Sequence, residues 1–299
     1  VYQARHVTAD SMVALKLIRP DQLSQFLPEE RQQLLTRFRN EIQAAAKLEH
    51  DHVVTVYDVG ETNGQLYYAM RFVDGESLRQ ILDDGPLEPL AAARYTEQVA
   101  QALAEAHGMG VLHRDIKPHN VMVDSKSDRA LLADFGLAKL TDGDQQLTVT
   151  EAVLGSPPYM SPEQTVDSGK VTAASDIYSL GATLYHLLTG RPPFQAASSV
   201  STMLQVQTSE PVSPRDLNPS IPRDLETICL KCLEKEPTKR YDSAQTLADR
   251  LQRVQRGESI PERPTSQTEK TWRWCKRNPM VASLATAVAL VLVLLKAAL

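Results

Sequence analysis

The stretch His113-Arg114-Asp115-Ile116-Lys117-Pro118-His119-Asn120, followed by Asp134-Phe135-Gly136, decides the fold of this chain. Two aspartates, an asparagine and a lysine supply hard oxygens for a metal ion and a cation for phosphate, which are the groups that phosphoryl chemistry requires. Asp-Phe-Gly by itself is weak evidence for a phosphoryl-transfer site, because any tripeptide occurs by chance in some sequences. Here it is accompanied, at consistent separations, by Val13-Ala14-Leu15-Lys16, Glu41, Ser161-Pro162-Glu163 and Asp176.

Together these segments resemble the eukaryotic-like protein serine/threonine kinases, in particular their membrane-anchored bacterial branch. The resemblance covers residues 1–255 and implies an α+β, two-lobed protein kinase fold. A small β-rich N-lobe, truncated at its start, is expected at 1–73, and a larger helical C-lobe at 74–255. The implied reaction transfers the γ-phosphoryl of Mg-ATP, with Mn²⁺ as a substitute metal, to serine or threonine hydroxyls of a protein substrate.

Four residues are implied to carry out the transfer. Asp115 is expected to orient the substrate hydroxyl, and Lys117 to offset charge at the γ-phosphate. Lys16 is expected to hold the α- and β-phosphates, oriented by an ion pair with Glu41; the alternative for that pair is a solvated surface contact. Two alternatives to a protein kinase are a catalytically weak kinase-fold scaffold and a small-molecule kinase of related fold.

The metal and nucleotide sites are implied by the same resemblance. Asp134 and Asn120 match the two Mg²⁺ ligands. The adenine pocket is expected to have Val1 and Ala14 as its roof and Met122 as its floor, although each could equally be plain core. Its gatekeeper is expected to be Met70, and its hinge to run from Arg71 to Val73.

Regulation is expected in the long loop after Asp134. Arg114 can pair with a phosphate on that loop, and Thr148 and Thr150 stand where bacterial relatives carry autophosphorylation sites. Such autophosphorylation is expected in a homodimer. The alternative is two β-branched residues without a regulatory role. Ser156, where threonine is usual, is expected to contact Asp115 and Lys117.

Other residues are expected to be structural. Asp176 is expected to bond the backbone around His113 and Arg114, and Arg240 to pair with Glu163. His113 is expected to pack with Phe135. Cys229 and Cys232 form a Cys-x-x-Cys in a helical segment and are expected to be buried thiols, with a metal or redox pair as the alternative.

Composition excludes several classes of protein. With 42% hydrophobic and 23% charged residues, the chain is globular and not disordered. Its net charge of −5 argues against a nucleic-acid partner bound through a broad basic surface. Three cysteines are too few for a disulfide framework, which indicates a reducing compartment.

Hydrophobic periodicity outlines the secondary structure. Two strands are predicted within 1–16, a helix over 29–48, and two more strands over 52–60 and 65–73. After Gly75 the pattern changes to long helices, predicted at 90–107, 176–188, 224–233 and 243–255.

The two ends of the chain carry further expectations. The glycine-rich loop of the family would precede Val1, so this fragment is expected to bind ATP poorly. Residues 256–279 are predicted to be a linker with a basic juxtamembrane segment, and 280–299 a truncated transmembrane helix. Basic residues before the apolar run predict a single-pass membrane protein with a cytoplasmic kinase domain. A buried helix is the alternative.

Overall fold

A computed structural model of the chain describes residues 1–7, 10–17, 36, 39, 42–62, 65–135 and 156–263. Four strands form the N-terminal sheet: β1 Tyr2–His6, β2 Ser11–Leu17, β3 Val56–Thr62 and β4 Gln65–Arg71. Their order is β1-β2-β4-β3, and all neighbours are antiparallel. The register places Lys16 of β2 directly opposite Tyr68 of β4. The four predicted N-terminal strands are confirmed, although the third begins at Val56 and not at residue 52.

A second, three-stranded sheet follows. It consists of β5 Gly75–Ser77, β6 Val121–Asp124 and β7 Arg129–Leu132. Asn120 lies immediately before β6, and Asp134 lies two residues after the end of β7. This hairpin therefore brings together the ends of the two motifs that the sequence singles out. The sequence did not predict these three strands, which are too short to show an alternating pattern.

The C-terminal lobe is helical. Its α-helices are α1 Leu78–Ile81, α2 Pro89–Gly108, α3 Pro162–Val166, α4 Ala173–Thr189, α5 Ser199–Thr208, α6 Pro214–Leu217, α7 Arg223–Cys232 and α8 Ala244–Gln255. Short 3-10 turns lie at Leu82–Asp84, Pro118–Asn120, Pro157–Tyr159, Ser168–Lys170 and Pro237–Lys239. The four predicted long helices correspond to α2, α4, α7 and α8, with ends shifted by at most a few residues.

Helix α4 is the centre of this lobe. Residues 175–188 are all buried, and α2, α7 and α8 pack around the helix. Two of its buried hydroxyls bond within the helix, since Ser179 Oγ donates to the Ser175 carbonyl at 3.1 Å and Thr183 Oγ1 to the Ser179 carbonyl at 3.0 Å. These two hydroxyls are therefore satisfied inside a buried helix, whereas the buried Tyr178 hydroxyl on the same helix has no hydrogen-bond partner among the described residues.

Two segments differ from their predicted bounds. Of the predicted helix over 29–48, the described residues 36, 39 and 42–45 are helical, whereas 46–48 are not. Residues 256–263, the start of the predicted linker, pack onto the C-lobe, because Ile260 is buried and Glu262 accepts a bond from Arg250 Nε at 2.9 Å.

Among the described residues, no helix is both long and apolar enough to cross a membrane, and 280–299 lies outside them.

The Arg240–Glu163 pair ties the end of the C-lobe to α3, as predicted. Arg240 donates to both Glu163 oxygens, at 2.7 and 2.8 Å, and its side chain is fully buried. Burial acts to raise the pKa of Glu163, but bonds from Arg240 and Ser175 outweigh it, and the pKa lies below its ordinary value. The pair's contribution to stability is therefore present above the unfolded-state pKa and is lost as the pH falls through the folded one.

Replacing Arg240 should destabilise the lobe strongly. Arg240→Ala leaves the Glu163 carboxylate poorly solvated and without its cation, which typically costs about 3–5 kcal/mol. The control is Lys239→Ala, since Lys239 pairs with Glu236 at 3.1 Å on the surface and should change stability by no more than about 1 kcal/mol. Equilibrium urea unfolding measures both. Equal losses would contradict a special role for the buried pair.

Candidate active site

The loop that carries Asp115 is held in place by hydrogen bonds to Asp176 of helix α4. The Asp176 carboxylate accepts bonds from the backbone N–H of His113 at 2.9 Å and of Arg114 at 2.7 Å, as predicted. His107 Nε2 lies 2.8 Å from the same carboxylate. Arg114 has a φ of +70°, a strained conformation that these bonds help to hold. The expectation for Asp176 is confirmed.

Asp115 sits within a ring of bonds to the other residues of its loop. Lys117 Nζ lies 2.7 Å from Asp115 Oδ2, and Asn120 Nδ2 donates to the same oxygen at 3.1 Å. Lys117 also donates to Ser156 Oγ at 2.8 Å, which confirms the contact between those two residues. The Asp115 side chain remains about a quarter exposed, at 27%, so a substrate hydroxyl can reach it.

Asp134 lies deeper in the cleft between the lobes and is held through both oxygens. Lys16 Nζ is 2.7 Å from Oδ2, and the Tyr68 hydroxyl donates to Oδ1 at 2.5 Å. Burial acts to raise the pKa of Asp134, but the charge and bond of Lys16 and the bond of Tyr68 outweigh it, and the pKa lies below its usual value. The carboxylate is therefore ionised at neutral pH.

Asn120 and Asp134 fit a magnesium site by their chemistry. Asn120 is buried, and its amide nitrogen is used by bonds to the Asp115 carbonyl and carboxylate. Among the described residues, none donates a hydrogen bond to its amide oxygen, which leaves that oxygen for a metal ion. An amide oxygen and an ionised carboxylate are the hard ligands that Mg²⁺ prefers. The assignment of these two residues as metal ligands remains a prediction.

His113 and Phe135 form the packed pair expected between the two motifs. Their ring centroids are 4.8 Å apart in an edge-to-face arrangement, and both residues are buried. His113 Nε2 lies 2.9 Å from the Ala133 carbonyl. These contacts anchor the segment before Asp134 on the catalytic loop, so His113 is a structural residue.

Most of the residues predicted to form the adenine pocket lie close together, but Val1 does not. Ala14, Met70 and Val73 belong to one buried cluster, and Met122 packs against it. Val1 is 73% exposed and lies outside this cluster. The Arg71 backbone N–H donates to the Thr55 carbonyl at 2.8 Å, and its side chain extends toward Asp124, at 3.5 Å. The pocket's role in binding adenine remains a prediction.

Three predicted site residues lie outside the described residues, namely Glu41, Thr148 and Thr150. The expected pairing of Lys16 with Glu41 is therefore untested. Lys16 contacts Asp134, a pairing that the motifs do not predict.

The two cysteines of the Cys-x-x-Cys motif are buried thiols, as predicted. Cys229 and Cys232 are both inaccessible on α7, and Cys229 Sγ lies 3.7 Å from the Gly181 carbonyl of α4. Burial raises the pKa of Cys232 to about 12. A thiol that stays protonated is a poor nucleophile and a poor metal ligand.

Comparison with known proteins agrees with this geometry. The profile of the protein kinase domain matches residues 1–251. The chain belongs to the protein kinase family. It is 40% identical over 248 residues to the serine/threonine-protein kinase PrkC of Bacillus subtilis, covering 83% of this chain and 37% of PrkC. It is 38% identical over 291 residues to PknB of Mycobacterium tuberculosis, covering 95% and 44%.

Solved structures give the same family. The crystal structure of the Mycobacterium tuberculosis PknI kinase domain superposes with a TM-score of 0.64 at 30% identity, covering 85% of this chain and 89% of that one. The two-lobed kinase fold and the bacterial serine/threonine kinase relationship are thereby confirmed. The chain spans less than half the length of PrkC and PknB.

Sequence reasoning missed two residues that shape the site. Gln164 donates from Nε2 to the Arg114 carbonyl at 2.9 Å, and Tyr68 bonds Asp134. The sequence does carry a signal for Tyr68, because it lies two residues before Met70 on the same strand and therefore on the same face of the sheet. A tyrosine at this position is as consistent with core packing as with a role in the site, so the sequence alone does not distinguish the two roles.

Proposed function

We propose that this chain is an active kinase domain that transfers the γ-phosphoryl of Mg-ATP to serine or threonine hydroxyls of proteins. The observation that carries the proposal is the convergence of Asp115, Lys117 and Asn120 in one bonded ring, with Asp134 held ionised by Lys16. The names of the relatives, serine/threonine-protein kinases, support the same activity.

Each side chain has a distinct task in this proposal. Bound Mg²⁺ would neutralise phosphate charge, held by Asp134 and Asn120. Asp115 orients the acceptor hydroxyl and accepts its proton. Lys117, tethered between Asp115 and Ser156, places a positive charge beside the acceptor. Lys16 can move from Asp134 to nucleotide phosphates, since both are anionic partners.

The acceptor class separates this proposal from a small-molecule kinase and from a scaffold. The full-length protein should phosphorylate serine and threonine in a mixed peptide library, with tyrosine left unmodified, because Lys117 in the catalytic loop is the pattern of the serine/threonine class. Mass spectrometry of the library identifies the acceptors. Phosphate appearing only on added small alcohols, or on nothing, would overturn the proposal in favour of one of the alternatives.

We propose that phosphorylation of Thr148 or Thr150 activates the enzyme. Arg114 supports this, because its backbone is fixed on both sides: its N–H bonds Asp176 and its carbonyl bonds Gln164. An arginine held there can order a phosphorylated loop by charge-assisted bonds. We also propose a homodimer in which one copy phosphorylates the other.

Removing both hydroxyls should therefore reduce activity. The Thr148→Ala/Thr150→Ala variant of the full-length protein should lose roughly 10-fold or more of its activity, since ordering bonds of about 1.5–3 kcal/mol can no longer form. Mass spectrometry should find phosphate at one or both positions in the wild type. Full activity in the double variant would remove the regulatory role.

We propose that residues 280–299 anchor the domain to the inner face of the membrane. Sixteen uncharged residues, Met280–Leu295, follow the basic residues Arg273, Lys276 and Arg277. By the positive-inside rule this arrangement keeps the kinase domain in the cytoplasm. The full-length protein should remain in the membrane pellet after carbonate and high-salt washes. Release into the supernatant would show that the segment is not an anchor.

A further inference from the structure

A buried tyrosine hydroxyl points at the carboxylate expected to bind metal. Tyr68 is 2% exposed, and its hydroxyl donates to Asp134 Oδ1 at 2.5 Å. Lys16 reaches the other oxygen from the strand directly opposite, with the Lys16 ammonium 5.9 Å from the Tyr68 ring centre. Side chains of two neighbouring strands, β2 and β4, thus contact the two oxygens of the Asp134 carboxylate.

The surroundings of Tyr68 give its hydroxyl little choice of partner. A small cavity adjoins Tyr68 and Asp134, and its other described lining residues are apolar. They are Ile42, Ala45, Val54, Val56, Met70 and Phe135. If Asp134 turned away, the other described residues of this cavity would offer the hydroxyl only apolar groups, and leaving a buried donor unsatisfied costs about 1–3 kcal/mol. The Tyr68 bond therefore persists in conditions where Lys16 can leave.

The Tyr68 bond is compatible with a metal on the same carboxylate. An ionised carboxylate offers about four lone-pair positions, and Tyr68 occupies one of them. Lys16 is on the other oxygen and, in the proposed function, moves to the nucleotide. With Lys16 gone, Tyr68 alone among these contacts would fix the rotation of the Asp134 carboxylate about its side-chain bonds.

We infer that Tyr68 is a positioning residue for Asp134: it holds the carboxylate in the orientation that binds the metal ion. This inference rests on the proposed function, because it assigns Tyr68 a task in the Mg²⁺ site of that same reaction. Hydrogen-bond partners of metal ligands typically contribute about 10- to 100-fold to metal affinity or activity. The effect of removing the Tyr68 hydroxyl should therefore be specific to metal and of that size.

The test compares two tyrosine-to-phenylalanine variants of the full-length protein. Tyr68→Phe removes the hydroxyl at Asp134, whereas Tyr95→Phe removes one that donates to Asp128 at 2.5 Å on the C-lobe. The control thus deletes the same kind of bond away from the cleft. Mn²⁺ titrated into the ADP-bound protein is followed by electron paramagnetic resonance, and the Mg²⁺ dependence of peptide phosphorylation is measured in parallel.

Tyr68→Phe should raise the half-saturating Mn²⁺ and Mg²⁺ concentrations by roughly 10-fold, with the peptide KM and the metal-free affinity for ADP unchanged. Tyr95→Phe should leave all four values at the wild-type level. Circular dichroism at the assay temperature checks that each variant is folded, because reversible unfolding would itself raise a half-saturating concentration. Tyr68→Met, which fills similar space without a hydroxyl, should repeat the result.

Two outcomes would overturn the inference. One is unchanged metal dependence in Tyr68→Phe and Tyr68→Met, and the other is an equal shift in Tyr95→Phe. Failure of the proposed function itself has a different signature, since wild-type protein would then show no metal-dependent binding of ADP and no peptide phosphorylation.

Discussion

Asp134→Asn should abolish phosphoryl transfer, reducing kcat/KM by about 1,000-fold or more. Asparagine preserves the shape of the side chain and tolerates the positive φ of +66° at this position, so the fold should survive. The substitution removes the negative charge that would hold the metal ion, and metal stabilisation of transferring phosphoryl groups amounts to several kcal/mol, at about 1.4 kcal/mol per tenfold in rate.

Asp128→Asn is the matched control for that loss. Asp128 also has a positive φ, of +53°, and also accepts bonds from a tyrosine, at 2.5 Å, and from a cation, Arg94 Nη2, at 2.6 Å. It lies on the surface of the C-lobe, away from the cleft, so its variant should keep the wild-type rate. Transfer by Asp134→Asn at a rate near wild type, measured as incorporation of phosphate into peptide, would contradict the metal assignment.

Asp115→Asn should reduce kcat by about 100-fold or more while leaving the KM for ATP near its wild-type value, because positioned acid-base groups typically contribute that much. The amide oxygen can still accept the bonds that Lys117 and Asn120 make with Asp115. What the variant loses is the ability to take the proton of the acceptor hydroxyl. A loss of kcat without loss of ATP binding is expected of a group that acts on the acceptor.

Steady-state kinetics with ATP and peptide varied separately measures that split. A rise in the KM for ATP with kcat unchanged would show that Asp115 belongs to the nucleotide site. Wild-type kcat and KM together would show that the catalytic loop has been wrongly assigned.

The sequence predicted most of the C-lobe, because its helices are long enough for apolar periodicity to be read. Helix α4 is buried along residues 175–188, and its predicted core, 176–188, lies within the observed Ala173–Thr189. The pairing of Arg240 with Glu163 and of Asp176 with the catalytic loop followed from the family resemblance. Strands β5 to β7 were missed, since three or four residues show no readable period.

Contacts that depend on how the lobes meet were beyond sequence reasoning. Lys16 and Asp134 are far apart in the chain, and nothing in either motif shows that Lys16 bonds Asp134 in this structure. The Tyr68 bond is of the same kind, because only the register of β2 with β4 places Tyr68 beside Lys16. Residues 256–263 looked like a polar linker, but the buried Ile260 and the bond from Arg250 to Glu262 hold them on the C-lobe.

The central claim is that this chain transfers the γ-phosphoryl of Mg-ATP to protein hydroxyls through Asp115 and Asp134. The most direct measurement is incorporation of ³²P from γ-labelled ATP into protein by the full-length enzyme, followed by identification of the labelled amino acids, with Asp134→Asn alongside. The predicted result is label on serine and threonine, dependent on Mg²⁺ and absent from the variant. Wild-type protein that binds Mg-ATP but transfers no label, or equal labelling by Asp134→Asn, would contradict it.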